Sequence, residues 1–317
     1  MTTSSPRPRH WARIGESTCV SGIWTLYWVH RLLGRWIFLL GLYPVALCYW
    51  LAQPATRAHS LQYLTRLQAA TGAVGHHPGR IDTLRHVALF AETLLDKLLA
   101  ASGRYRARHV AISGSEMLYQ SALAGRGGVI VTAHLGCLEL CRSLSEQRID
   151  FHLNILVHTR HAQQFNRILQ QLNPDSRVTL IEVSDVNPAT AAMLALKVAA
   201  GEFVAIAGDR VPVTHSKTVQ VEFLGHSANF PVGPYVLASI FHCPLYFLGS
   251  IHQGRGYAIH FECLTERVDL PRATRDAALT EYAADYVRAL TALLRRSPYD
   301  WFNFYPFWNQ AHVNTAR

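Results

Sequence analysis

The sequence predicts an α/β protein in which a mostly parallel sheet is flanked by helices, with a hydrophobic helix near the N-terminus. Two observations predict it: short β-branched runs alternate with helical segments through residues 110–300, and a long apolar run precedes them. Alternation at this pitch implies right-handed crossovers, which place helices on the faces of the sheet. We therefore expect a basic N-terminus with a membrane-anchoring or interfacial helix (1–57), followed by one α/β domain (58–317).

The composition is that of a hydrophobic, basic globular chain. Half of the 317 residues are hydrophobic and 16% are charged. This excludes a disordered chain, which needs low hydrophobicity and high charge. The net charge of +9 arises from 27 Arg and 3 Lys against 21 acidic residues, and it favours an anionic partner, either a membrane surface or nucleic acid. No secretory signal accompanies the six cysteines, so we expect free core thiols in a reducing compartment and no metal site.

The apolar run is the most unusual local feature. No charged residue occurs between positions 36 and 56, and Trp36–Ala52 is almost wholly apolar, close to the shortest length that spans a bilayer. Arg31 and Arg35 precede this run and Arg57 follows it. A buried core helix is the alternative. If the helix spans, the arginines place its N-terminal end in the cytoplasm; a helix in the interface of the cytoplasmic leaflet is equally compatible.

The remaining elements follow in chain order. Apolar spacing predicts helices over 57–69 and from Ile81 to Leu98, the second ended by Gly103. The α/β part should contain helices at 115–123, 135–144, 162–172 and 189–200, and strands at 129–133, 151–158, 177–183 and 203–207. Two strands of hairpin character, at 218–224 and 257–263, and a last amphipathic helix at 278–296 complete the prediction.

Ligands of open α/β sheets collect at the carboxyl ends of the strands, and the first of these ends carries reactive side chains. The segment VTAHLGCLE places His134 just after the strand and Glu139 five residues later. A carboxylate that binds one imidazole nitrogen leaves the other nitrogen free to act as a base. The chain contains no G-x-S-x-G nucleophile elbow, so the substrate would supply the attacking hydroxyl or amine.

Other strand ends add polar groups to the same edge. The second predicted strand is followed by Arg160 and the fourth by Gly208–Arg210, which reads GDR. A local salt bridge is the plainer interpretation of the Asp209-Arg210 pair. The segment after the next strand reads FLGHSANFPVGP, and its Phe and Pro side chains either line a substrate channel or belong to the core.

These motifs together resemble the glycerolipid and lysophospholipid acyltransferase superfamily. The similarity rests on AHLGCLE, a strand-end arginine, GDR and FLG-x-x-x-x-F-P-x-G-P. It is closest to the bacterial lipid A biosynthesis branch and to acyltransferases of aryl-polyene or ornithine-type lipid biosynthesis. The WARIGE segment, the apolar run and Tyr299–Phe304 extend it over nearly all of the chain. Cys137-Leu138 and GDR depart from the Asn-Trp pair and the Asp-Gln-Asp type motif of the lipid A enzymes.

The resemblance implies a membrane-associated enzyme at the cytoplasmic face of a bacterial inner membrane. It would move a fatty acyl group from an acyl carrier protein or coenzyme A thioester to a hydroxyl of a lipid acceptor, without a cofactor or metal. His134 would be the base and Glu139 would orient it, while backbone N–H groups after His134 or in a 225–233 loop would bind the oxyanion. Arg160 and Arg210 are candidates for binding phosphate. The implied substrate-binding residues are Arg160, Asp209, Arg210, Phe223, Gly225, Pro231 and Gly233.

Two other functions remain open. The same histidine and carboxylate would allow hydrolysis of an acyl thioester or lipid, with water as the nucleophile. A non-catalytic peripheral membrane-binding protein is the third class, but it gives no reason for His134 and Glu139 to follow a strand. Nucleic acid is disfavoured as a partner, because the basic residues are scattered and no recognised binding module occurs.

Overall fold

The computed structural model describes residues 20–105, 107–141, 152–157, 178–182, 188–211 and 217–309. The strands are β1 Val110–Ser113, β2 Gly128–Thr132, β3 Leu153–Val157, β4 Val178–Glu182, β5 Phe203–Ala207, β6 Thr218–Phe223, β7 His226–Pro231, β8 Leu245–Gln253 and β9 Gly256–Thr265. The helices are α1 Val20–Ala52, α2 Pro54–Thr71, α3 Arg80–Ala101, α4 Glu116–Leu123, α5 Pro188–Ala199, α6 Gly233–Phe241 and α7 Arg275–Arg296.

Seven strands form one sheet in the order β1-β9-β8-β2-β5-β3-β4. Every neighbouring pair runs parallel except β8 and β9, which run antiparallel. β2 lies at the centre and is buried along its whole length, as expected for a strand covered by helices on both faces. One face packs on α2, α5, α6 and α7, and the other packs on α4 and a short 3-10 turn, Leu138–Cys141. The predicted α/β class with a mostly parallel sheet is confirmed.

Several local predictions were incomplete or wrong. No strand was predicted at β8, although β8 joins β2 to β9, and β1 and α6 were also missed.

Residues 225–233 are not a loop, because His226–Pro231 forms β7, which pairs antiparallel with β6 in a separate two-stranded sheet. A two-residue turn at Leu224-Gly225, with φ of 54° and 76°, joins them, the left-handed geometry favoured in tight hairpins. The predicted helix at 135–144 is only the 3-10 turn where it is described, and the one at 162–172 lies outside the described residues.

Helix α1 packs one stripe of side chains on the body and exposes another. It is broken at Gly34, whose φ of 84° is not helical. Phe38 and Leu42 pack against Leu95 and Leu99 of α3. The opposite face is apolar and exposed; its members include Leu32, Leu33, Trp36 (83% exposed), Leu40 (73%), Val45 and Leu51. The stretch Tyr27–Ala52 is long and apolar enough to cross a membrane.

Polar contacts also attach α1 to α3. Arg35 donates to the buried Asp96 at 2.8 Å, and the Tyr43 hydroxyl donates to Glu92 at 2.8 Å. Near the end of α1, the indole of Trp50 donates to Thr83 at 2.9 Å. These contacts fix one side of α1 to the body, so only its other side is left to meet an apolar surface.

A buried histidine on α3 connects the N-terminal helices to the C-terminal segment. His86 Nε2 lies 3.0 Å from the carbonyl oxygen of Trp301, which can only accept, so this nitrogen carries the proton. The Ser60 hydroxyl then donates to Nδ1 at 2.9 Å. Burial lowers the pKa of His86 to about 4, and the Trp301 carbonyl only partly opposes this. His86 is therefore neutral in the folded protein.

We expect this neutral histidine to contribute to acid lability. The pKa of histidine in the unfolded chain is ~6.5, whereas burial lowers the pKa of His86 in the folded protein to about 4. Because the unfolded chain binds a proton more readily between these values, acid favours unfolding there. Between pH 7 and pH 4 the loss should be on the order of 3 kcal/mol. Thermal unfolding followed against pH should show a weaker pH dependence in His86→Gln than in wild type. His226→Gln, at an exposed position, is the control, and equal slopes for wild type and His86→Gln would contradict the assignment.

Candidate functional site

The register of two neighbouring parallel strands brings His134 and Asp209 together. Thr132 on β2 is paired with Ala207 on β5, and the Gly208 N–H donates to the Thr132 carbonyl at 2.8 Å. His134 and Asp209 each lie two residues beyond this last pair. The His134 backbone N–H donates to Asp209 Oδ2 at 2.9 Å, and Nδ1 lies 2.8 Å from Oδ1. Both oxygens of one carboxylate therefore hold one histidine.

Asp209 is a buried carboxylate that accepts four hydrogen bonds. Besides the two from His134, the Trp301 indole N–H donates at 2.9 Å and the Asn303 amide at 3.1 Å. Burial alone would raise the pKa of Asp209, but the His134 contacts and the Arg210 charge hold it well below its ordinary value. Asp209 therefore stays ionised, and an ionised carboxylate accepts hydrogen bonds only.

The ionised Asp209 fixes the tautomer of His134. Since Asp209 can only accept, Nδ1 carries the proton and Nε2 is the basic nitrogen. Burial and the Arg210 cation lower the pKa of His134, with Asp209 acting in the opposite direction. No residue in the described ranges bonds Nε2, and 36% of the side chain is exposed. His134 is thus a neutral imidazole whose basic nitrogen is open to a substrate.

A C-terminal segment, Tyr299–Tyr305, closes over this pair. The Phe302 N–H donates to the His134 carbonyl at 2.9 Å, and the Gly136 N–H donates to the Asp300 carbonyl at 3.0 Å. The Tyr305 hydroxyl donates to the Asp209 carbonyl at 3.0 Å. This segment holds the backbone on both sides of the histidine and supplies two of the four donors to Asp209.

Glu139 does not contact His134, contrary to the expected pairing. Gly136 adopts a left-handed φ of 54°, and the 3-10 turn that follows directs Glu139 toward α3. There, Glu139 Oε1 accepts from Lys97 Nζ at 2.9 Å and Oε2 accepts from the Cys137 thiol at 3.6 Å. Asp209, predicted as a substrate-binding residue, occupies the position expected of Glu139.

The thiols near the site are buried, and their pKa values are raised. Cys137 and Cys141 are buried, and both belong to the core on this face of the sheet. Burial, followed by the Glu139 charge, raises the pKa of both thiols above its ordinary value. In the described part of the chain, no group of three or more His, Cys, Asp or Glu side chains is arranged to hold a metal ion.

The other predicted residues occupy several environments. Arg210 lies beside the site, with Nε 3.4 Å from Asn303 Oδ1 and Nη2 3.5 Å from the Phe302 carbonyl. Phe223 is fully buried, and its ring contacts Trp301 at 5.3 Å between centroids. Pro231 is also buried at the end of β7. Gly225 forms the hairpin turn, Gly233 is the first residue of α6, and Arg160 lies outside the described residues.

Most of the residues that support the histidine were not predicted from the sequence. Trp301, Asn303 and Lys97 were given no role in the site. A second histidine–aspartate pair was also missed: Asp300 accepts from the His252 backbone N–H at 2.6 Å and lies 2.5 Å from His252 Nδ1. The available signal was the dense aromatic and polar run YDWFNFYPFW, but the sequence of this run does not indicate which part of the fold it contacts.

Comparison with known proteins adds no identification. No protein-family model matches the chain, and no curated protein matches it.

The turn after His134 should be intolerant of a side chain at Gly136. A Cβ there would lie 2.1 Å from the Ser250 carbonyl oxygen, whereas a Cβ at Gly225, also at positive φ, meets nothing within 4 Å. Gly225→Ala should cost about 1–2 kcal/mol for the left-handed conformation, and Gly136→Ala should add an overpacking cost of about 1–3 kcal/mol. Chemical unfolding of both variants measures the difference; equal losses would show that the Gly136 contact is not restrictive.

Proposed function

We propose that the chain is a membrane-associated acyltransferase that moves a fatty acyl group from a thioester to a lipid hydroxyl. The observation that carries the proposal is the His134 ring, held at Nδ1 by the ionised Asp209 and open at Nε2. The resemblance of AHLGCLE, GDR and FLG-x-x-x-x-F-P-x-G-P to bacterial lipid acyltransferases supports the choice of reaction. The donor would be acyl carrier protein or coenzyme A.

The chemistry follows from the charge state of this pair. Nε2 of His134 removes the proton of the acceptor hydroxyl as its oxygen attacks the thioester carbonyl carbon. A C–O bond forms, the C–S bond breaks, and the imidazolium returns its proton to the departing thiolate. Asp209 stabilises the transient imidazolium and keeps the ring in place. Backbone N–H groups of the turn after His134 are candidates for binding the oxyanion.

Direct attack by the acceptor fits the surroundings of His134. The nearby thiol of Cys137 is buried and donates to Glu139, and its raised pKa keeps it protonated. Without a protein nucleophile at Nε2 in the described ranges, the acceptor itself supplies the attacking oxygen. No covalent acyl-enzyme is then required.

Two arginines are proposed to bind substrate phosphate. Arg210 lies beside His134 and Arg160 follows the predicted second strand; a guanidinium matches a phosphate in a bidentate way. Phe223 and Pro231 are buried, which favours a role in supporting Trp301 and the hairpin over direct contact with an acyl chain. Glu139, which the resemblance makes the orienting acid, would act on His134 only indirectly.

The proposed location is the cytoplasmic face of an inner membrane. The exposed apolar stripe of α1 lies between the basic residues Arg31 and Arg57 in the sequence, whereas Arg35 is paired with Asp96 on the side that faces α3. An apolar stripe bordered by arginines suits the boundary between lipid tails and anionic head groups. Since α1 is packed on α3 along its other side, a helix lying in the interface accounts for both faces.

Removing the base should slow acyl transfer sharply. His134→Ala and Asp209→Asn should each lower the rate of transfer from acyl carrier protein or coenzyme A thioesters to a lipid acceptor, by about 10²–10⁴ for His134→Ala. The measurement is mass spectrometry of the acylated lipid, with His226→Ala as a control. Full activity in His134→Ala would refute the proposed base.

Hydrolysis by the same pair is the second candidate, because the exposed His134 ring would also serve as a base toward a water molecule. The two are separated by following thiol release from the thioester with and without lipid acceptors. Release that depends on His134 and is accelerated by the acceptor supports transfer. Release at the full rate without any acceptor supports hydrolysis.

The exposed face of α1 should govern membrane binding. Trp36→Glu with Leu40→Glu places charges on the exposed stripe and should sharply reduce flotation with vesicles rich in anionic phospholipids, because charged side chains are costly among acyl chains. Leu123→Glu with Leu196→Glu changes two exposed leucines away from α1 and serves as the control. Unchanged flotation of the α1 variant would contradict the proposed surface.

A further inference from the structure

One of the few lysines in the chain forms an ion pair next to the site. The chain has 27 Arg but only three Lys, and Lys97 Nζ binds Glu139 Oε1 at 2.9 Å. Each side chain is only 21% exposed. Burial would lower the pKa of Lys97, but the Glu139 carboxylate more than offsets this, so the pKa is raised and Lys97 stays charged.

Lys97 binds the 3-10 turn that begins four residues after the histidine. On α3, Asp96 points to Arg35 and to Tyr257, from which it accepts hydrogen bonds at 2.8 and 3.1 Å. The next residue, Lys97, reaches instead to the 3-10 turn Leu138–Cys141. The ion pair therefore attaches this turn to α3, close behind His134.

We propose that Lys97 is a positioning residue for His134: its ion pair neutralises Glu139 and fixes the turn, so that Asp209 alone orients the ring. The proposal rests on the proposed function in taking His134 as the base. The charged groups that act on the ring are Asp209 and Arg210, from the end of β5, and Lys97, from α3; Glu139, from the turn, is paired with Lys97. Asp209 is buried and bonds the ring directly, whereas Glu139 is half-buried and bonds Lys97.

The pair should matter because its two charges act on His134 with opposite signs. An unpaired Glu139 would favour the imidazolium and raise the pKa of His134, while an unpaired Lys97 would lower it. When the two are paired, Glu139 offsets part of the effect of Lys97 on the ring, and the ring stays neutral. Lys97 lowers the pKa of His134 as the structure stands, after burial, Arg210 and Asp209.

The chain contains a matched control, a second Lys–Glu ion pair, at the other end of strand β5. Lys197 Nζ binds Glu202 Oε2 at 3.0 Å, with side chains 30% and 25% exposed. Glu202 directly precedes β5, whereas Asp209 follows it, so this second pair lies at the far end of the same strand from the site. This second pair is also a partly buried Lys–Glu ion pair, but it lies away from His134.

The experiment compares Lys97→Met, Glu139→Gln and the double variant by the pH dependence of His134 modification. Diethyl pyrocarbonate reacts with neutral imidazole, and mass spectrometry of the peptide that contains His134 reports its rate at each pH. We expect the midpoint to move upward by about 0.5–1 pH unit in Lys97→Met and downward by a similar amount in Glu139→Gln. The double variant should return close to wild type.

A merely structural ion pair gives a different pattern. Loss of packing alone would move both single variants in the same direction or leave their midpoints unchanged, and either result overturns the proposal. Lys97→Arg, which keeps the charge, should retain the wild-type midpoint and covers the case in which Lys97→Met does not fold. Lys197→Met and Glu202→Gln should leave the His134 midpoint unchanged; a shift there equal to that at Lys97 also overturns the proposal.

The readout does not depend on the reaction that the chain catalyses. If no acyl transfer is detected with any donor but the His134 midpoints shift as described, the proposed function fails and the role of Lys97 stands. Where transfer is measured, the acid limb of its pH–rate profile should shift with the modification midpoint. Lys97→Met should then lower kcat at acidic pH and recover toward alkaline pH.

Discussion

The buried carboxylate of Asp209 is the group on which the site depends. It accepts four hydrogen bonds, from the backbone and ring of His134, from Trp301 and from Asn303. Burying a charge without partners is very costly, whereas a fully bonded carboxylate is stable and fixes its neighbours. Its four donors come from the end of β2 and from the C-terminal segment. One ionised group thus joins a residue 75 positions before it to residues 92 and 94 positions after it.

The sequence predicts the strands well where they are buried and β-branched. The predicted strands 203–207 and 177–183 match β5 and β4, because short β-branched runs such as FVAIA are typical of buried parallel strands. The order of strands in the sheet does not follow from such runs. β2 and β5 are neighbours although β3 and β4 lie between them in sequence, so the meeting of His134 with Asp209 was not predictable. The strand β8 was missed, although it is central.

The sequence predicted the histidine of the site but not the carboxylate that holds it, because the pairing depends on the order of strands in the sheet. His134 and the GDR segment were identified from their places after strands, but the carboxylate expected to hold the histidine was Glu139, the nearest in sequence. Sequence distance favoured Glu139, whereas the left-handed turn at Gly136 and the pairing with Lys97 direct it elsewhere. Trp301 and Asn303 escaped notice because a long-range contact leaves no periodic signal in a single sequence.

The closing role of Tyr299–Tyr305 has a consequence for the order in which the protein matures during its synthesis. The ribosome produces α1, His134 and Asp209 well before this segment, so a growing chain holds the histidine and the aspartate before it has the indole and amide that complete their environment. An emerging chain whose α1 has already met the bilayer, as we propose, is thus delivered there without a finished site. The site would become competent only once Tyr299–Tyr305 has been made and has folded against His134 and Asp209.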